Sequence, residues 1–510
     1  MTHNKREQHS GSSSGFTFRV PRLAFRVVRP ALYVLLLALT ARLIFQPDPR
    51  DDLRHADQLF RTAHYHAALQ RYVELAANHE SAEIKLRLGM IRVVRGEYDL
   101  AERALRHAMT LGLYEADRNV AALYLGQALI ERGQPLGALR TWAQIDSCDR
   151  QAAICRYDGP RRVLRAEWSL RQGDYASAET DFRTALALNL PADWYALATY
   201  RLSLLESART PAATLARLTQ AEASATAPAD PLLTPLLPAA RGTSDELRAA
   251  LADDPALRPQ LLGRIYLDQD LYGLAEAQFS QVAPNSPNAL AAAAYAAYTR
   301  WRAGDRQEGL KRLEQLVQEH PDEPRARTLL ALAYLSTEDT AAARTQLDTI
   351  LALAPSDPDV HLVWANWYVA QRDYVSASTE YQRALAQALP GQRGAYALLV
   401  ARFHLTNTYD LCELGLPAAE LAARELSDNG EAWTTLAAHR YHCNNFAGAV
   451  EAAQLALAQT PGAAAAFYLG SALTALGDNE AARQTFIQAA DLAPASVWRE
   501  RAEAALASLP

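Results

Sequence analysis

Lysine is nearly missing from this chain. Lys5, Lys85 and Lys311 are the whole supply among 51 basic residues, so its positive charge is almost all arginine. Four cysteines in 510 residues are too few for a disulfide-framework fold. β-Branched residues are sparse, which disfavours an all-β protein. Several chemical signatures are absent too. The sequence has no G-x-x-x-x-G-K-[ST] loop, no G-x-G-x-x-G after a strand, no H-E-x-x-H pair and no G-x-S-x-G elbow. We therefore expect no enzyme, no cofactor, no metal and no small-molecule substrate. A net charge of -6 with 21% charged residues argues against a nucleic-acid partner, which would call for a basic surplus.

What is present is alanine, 102 of the 510 residues. With leucine, arginine and glutamate it makes up a strong helix-forming composition, and a 50% hydrophobic share excludes a disordered chain. The expectation is an all-α protein whose helices approach closely through small side chains.

Charge is uneven along the chain. Residues 1–45 hold Lys5, Arg6, Arg19, Arg22, Arg26, Arg29 and Arg42 against Glu7, a balance of +6, which leaves -12 for the remainder. Between Arg29 and Arg42 lies the apolar run Ala31–Ala41, and extending it to Phe45 gives about 22 Å of helix. Three readings are open: a signal anchor, a cleaved signal peptide, and a buried first helix. The anchor is preferred, because no A-x-A site precedes Arg42 and residues 1–18 read as a disordered tail. Flanking arginines can snorkel to lengthen a short span, and the basic bias places the N-terminus inside and the rest outside. This predicts a single-pass cell-membrane protein, N-terminus cytoplasmic, with the remainder extracytoplasmic.

After Pro47 the chain repeats itself. Leu262-Gly263-x2-Tyr266 with Ala275-x3-Phe279 is followed at intervals of thirty-four residues by Ala297 with Gly309-x3-Leu313, Ala331-x2-Tyr334 with Ala343-x3-Leu347, and Trp364-Ala365-x2-Tyr368 with Ala377-x3-Tyr381. Leu469-Gly470 with Ala482-x3-Phe486 and Pro494 closes the series. Looser copies run from Ala56 to Phe182. This pattern resembles the tetratricopeptide repeat. The resemblance implies an α-solenoid, a superhelix of helix-turn-helix units in which small residues at positions eight and twenty let helices approach. Loop glycines such as Gly96, Gly133, Gly173, Gly304 and Gly477 would stop each first helix. The organisation expected is a basic tail 1–22, a transmembrane signal anchor 23–46, an N-terminal array 47–225 and a Pro-rich irregular joint 226–255. A C-terminal array 256–496 and a capping helix 497–510 complete it. Within the joint one helix is expected near Ser244–Ala252, capped by Ser244.

The resemblance also implies a concave face lined by first helices. Its positions fall here on Arg264, Tyr298, Trp301, Arg302, Arg325, Asn366, Tyr396, Phe403 and Tyr441, with His404 and His442 beside them. Arginine and aromatics are favoured in binding hot spots, though each of these could equally be wall packing. The family's carboxylate clamp is not expected, because Leu362 stands where its lysine would be. His439, His442 and Cys443, with His404 nearby, have metal-ligand spacing but read better as core and surface residues. Cys148 with Cys155, and Cys412 with Cys443, form two local pairs. They are possible disulfides if the region is exported, and buried thiols otherwise. The function expected is a non-enzymatic scaffold for protein or peptide partners. The alternative is an accessory subunit of an envelope glycosyltransferase or polymer-synthesis complex that binds glycan or peptide in the aromatic groove.

Overall fold

The computed structural model describes residues 49–145, 157–188, 190–224, 230–233 and 236–509. The expected tail and anchor, and the Cys148/Cys155 pair, lie outside the described residues. Among those described, no helix is long and apolar enough to cross a membrane. Backbone contacts divide the chain at Arg54–His55, and the second unit, from His55 onward, carries the architecture that follows.

That architecture is all helical, with no strand among the described residues. Antiparallel pairs follow one another: Ala82–Val94 with Tyr98–Leu111, Glu115–Glu131 with Pro135–Ala143, and Asp158–Arg171 with Tyr175–Leu186. Ala192–Glu206 with Pro211–Ser224 ends the N-terminal array. The second array begins with Arg258–Asp268 and Tyr272–Phe279 and runs through Ala463–Ala475 with Asn479–Leu492 to a last helix, Val497–Ser508.

The small residues do what their spacing implies. A methyl group added at Gly263 would lie 2.7 Å from the Phe279 ring, at Gly470 2.8 Å from Phe486, and at Gly89 2.5 Å from Leu105. Each pair is sixteen residues apart, so the eighth position of the first helix receives the bulky twenty-fourth of the second. The turn between paired helices needs a left-handed residue, and Gly96, Gly133 and Gly173 supply it with φ of 73°, 71° and 75°. At the same turn Asp270, Glu338, Arg372 and Asn444 adopt φ between 58° and 62° without being glycine.

The joint differs from expectation in one respect. Its helix runs Leu237–Ala252, so Ser244 lies inside it, buried, and caps nothing. Pro238 falls in the first turn, where its missing N–H costs no hydrogen bond, so the helix starts earlier than the proline spacing suggests.

The unit's two ends meet. The backbone N–H of His66 donates to Asp491 at 2.7 Å, Arg95 donates to Glu97 and to Glu503, and Arg499 donates to Glu97 at 2.9 Å. All but the Arg95–Glu97 pair join residues some 400 positions apart in sequence.

Candidate partner-binding grooves

In the C-terminal array the expected face divides into exposed donors and buried rings. Arg264, Arg302 and Asn366 are exposed, and Tyr298, Arg325 and Tyr441 are partly so. Arg302 donates to Asp270 at 3.0 Å and lies over the Tyr272 ring. Arg325 rests above Tyr295, and Asn366 accepts from the Tyr381 hydroxyl at 3.0 Å.

Trp301, Tyr396 and Phe403 are not groove anchors. Trp301 is 6% exposed, packed on Leu313, Ala297 and Leu330 with Tyr298 stacked against it at 5.6 Å. Gly309 has no side chain because one would strike the Trp301 backbone, so the two helices close over this ring. Phe403 is buried and stacked on Tyr381 at 4.6 Å, and Tyr396 turns its hydroxyl to Asp359 at 2.6 Å. Burial and that carboxylate raise the Tyr396 phenol above its ordinary range. Spacing put these rings on the first helix correctly, but their bulk carries them inward against the neighbouring unit.

Cys412 and Cys443 are joined in a disulfide with Cα atoms 5.6 Å apart. It ties a π-helical turn, Leu411–Gly415, to the end of the helix Gly430–His442. Cys443 therefore has no thiolate to offer a metal. His439 is fully buried and its two ring nitrogens face the carbonyls of Ala401 (2.9 Å) and Leu411 (3.0 Å). His404 is buried as well, bonded to the Tyr409 carbonyl, and burial lowers the pKa of both imidazoles. Among the described residues no group of three His, Cys, Asp or Glu is placed to hold a metal ion.

The N-terminal array links its units by charge. Arg87 joins Asp57 at 3.1 Å and Asp117 at 3.8 Å, tying the helix Ala82–Val94 to Pro49–Arg61 before it and to Glu115–Glu131 after it. Arg201 donates to Glu167 at 2.8 Å, with both side chains largely buried. Sequence reading passed over these pairs, because repeat spacing marks small and bulky positions rather than charged ones. It also missed the segment Asp230–Leu233, which carries no repeat signal at all.

Three family models, each described as a tetratricopeptide repeat, match residues 271–323, 300–366 and 443–497. No curated protein sequence matches the chain. Among solved structures, YrrB, described as a tetratricopeptide-repeat protein with an unusual peptide-binding site, is similar at 18% identity over 38% of this chain and 97% of its own, with a TM-score of 0.32. Yeast Tom70 is 13% identical over 86% and 96%, with a TM-score of 0.36. PilF of Pseudomonas aeruginosa is 15% identical over 42% and 97%, with a TM-score of 0.35. The chain carries tetratricopeptide repeats within the matched residues, and helical hairpins continue on either side of them.

Proposed function

We propose that this protein is a non-enzymatic scaffold whose C-terminal array receives a protein or peptide partner on its first-helix face. The observation that carries the reading is the row of accessible Arg264, Tyr298, Arg302, Arg325 and Asn366 on successive first helices, held by a rigid aromatic core. Guanidinium donors on an aromatic wall suit an extended acidic segment. The charge asymmetry of residues 1–45 supports a tether through residues 23–46, with the N-terminus cytoplasmic and the repeats on the far side of the membrane.

The test is an interaction screen run in parallel with the intact chain and with the triple variant Arg264→Glu, Arg302→Glu, Arg325→Glu. Partners retained by the first and lost by the second support this face, while an identical set on both refutes it. A reporter fused after residue 60 that is active only in the cytoplasm would refute the topology.

A further inference from the structure

The joint between the arrays carries the sequence Asp230-Pro-Leu-Leu233, which sits against the first helices of the N-terminal array. Pro231–Leu233 make a single 3-10 turn, in which Leu233 is fully buried and Leu232 is 5% exposed. The Asp230 carboxylate accepts from the Trp194 indole at 3.2 Å and from the Leu232 N–H at 3.0 Å, and the Asp230 N–H donates to Asp193. Trp194 lies on the first helix Ala192–Glu206. Pro231, Leu232 and Leu236 border a cavity of about 240 Å³ whose other walls include Val93, Val94, Gln127, Glu131 and Arg171. Counted from Gly89, Gly126 and Ala166 at position eight, those five residues hold positions nine, twelve and thirteen of their units. They are the N-terminal counterparts of Arg264 and Arg302.

The segment is thus held as a ligand would be held. Its carboxylate meets an indole donor, its Leu232 borders the same cavity as Val93 and Val94, and its backbone is pinned at Asp193. It does not fill the groove, because the cavity beside it has polar walls and room for further residues. We propose that the first-helix face of residues 82–206 is a second peptide-binding site, occupied in this conformation by Asp230–Leu233. The partner it fits is a peptide presenting a carboxylate followed by paired aliphatic side chains. A tether this short gives the internal segment an effective concentration of about 1 mM, so an outside peptide binds only when it competes well or when the segment is released.

The experiment uses the full chain and a fluorescent peptide of residues 229–237, with anisotropy as the readout. Leu232→Asp combined with Leu233→Asp should empty the groove and tighten peptide binding about tenfold or more over the parent chain. A peptide with both aspartates in place of its leucines should not bind. Asp230→Asn keeps the leucines and loosens only the polar anchor, so it should give a smaller gain, about threefold. Folded variants that take the peptide no better than the parent overturn the proposal. So does unfolding of the double variant together with unchanged binding by Asp230→Asn, because the segment would then be ordinary core. No partner of the C-terminal face is used, so failure here leaves that reading standing.

Discussion

The two arrays solve one problem with different chemistry. Each must fasten neighbouring helices, within a hairpin and from one hairpin to the next. From Asp57 to Arg217 the fasteners are ion pairs: Arg87 between Asp57 and Asp117, Arg162 and Arg165 at Asp181, Arg201 with Glu167, and Arg217 with Glu206. From Phe279 onward rings are added to ion pairs such as Arg300 with Glu276 and Arg402 with Glu431: Phe279 on Tyr295, Tyr381 on Phe403, Tyr441 near Tyr468, and Phe467 on Trp498. Ring contacts gain from burial and need no compensating partner, whereas a half-buried guanidinium must keep its carboxylate. The ring-fastened half leaves its donors accessible on the first-helix face, while in the charge-fastened half the chain's own joint lies on that face.

The difference can be broken at its strongest point in each half. Trp301→Ala should cost about 3–5 kcal/mol, because it empties a closed core. It should leave affinity for a C-terminal partner unchanged in any population that remains folded. Lost affinity at unchanged melting temperature would restore Trp301 to the groove. In the other half, Glu167→Gln strands the Arg201 guanidinium and should cost about 3 kcal/mol by denaturant unfolding. A loss below 0.5 kcal/mol, within the range of surface substitutions, would show that the pair is a surface contact.

The meeting of the two ends adds a pH dependence. Burial raises the Asp491 carboxyl to about 6, so its stabilising contribution is complete below the unfolded value of about 4 and is lost as pH climbs through 6. His66 and Arg95 hold Glu503 down at about 2 against the opposing effect of burial, so its contribution is present above about 4 and disappears toward pH 2. The contact should therefore be tightest near pH 4–5. Glu503→Gln should lower stability at pH 7 by about 1 kcal/mol after solvent screening and flatten the acid limb. Melting curves from pH 3 to 8 that superimpose on the parent's would refute this lock.

The smallest effect separates the arrays at their turns. The N-terminal array places glycine at the left-handed position in Gly96, Gly133 and Gly173 and departs from it at Ala63, while the C-terminal array keeps Gly304 and Gly477 but also accepts Glu338 with φ of 62° and Arg372 with φ of 59°. Glu338→Gly should therefore stabilise by about 1 kcal/mol, since it removes left-handed strain at a modest entropic cost. Gly133→Ala should move the melting temperature the other way.

Helix content, the repeat period and the packing partners of Gly89, Gly263 and Gly470 were legible in the sequence. Each depends on contacts within one hairpin, where chain spacing sets geometry. The same reasoning set Cys412 beside Cys443 as a pair without deciding whether they are bonded. It failed at Ser244, where a local capping preference lost to a helix already started at Leu237. It failed again at Trp301 and Phe403, because periodicity places a residue on a helix face but does not say how far the next unit closes over it. The sequence alone determined what each unit of some thirty-four residues must do, since small and bulky residues at fixed offsets leave one way to close a hairpin. Only the tertiary structure decided what the units do together: which groove the joint enters, that Glu97 and Glu503 meet Arg499 and Arg95 across the whole array, and which rings stay accessible. Those outcomes depend on the small rotation between neighbouring units summed over the entire solenoid, and no local spacing encodes that sum.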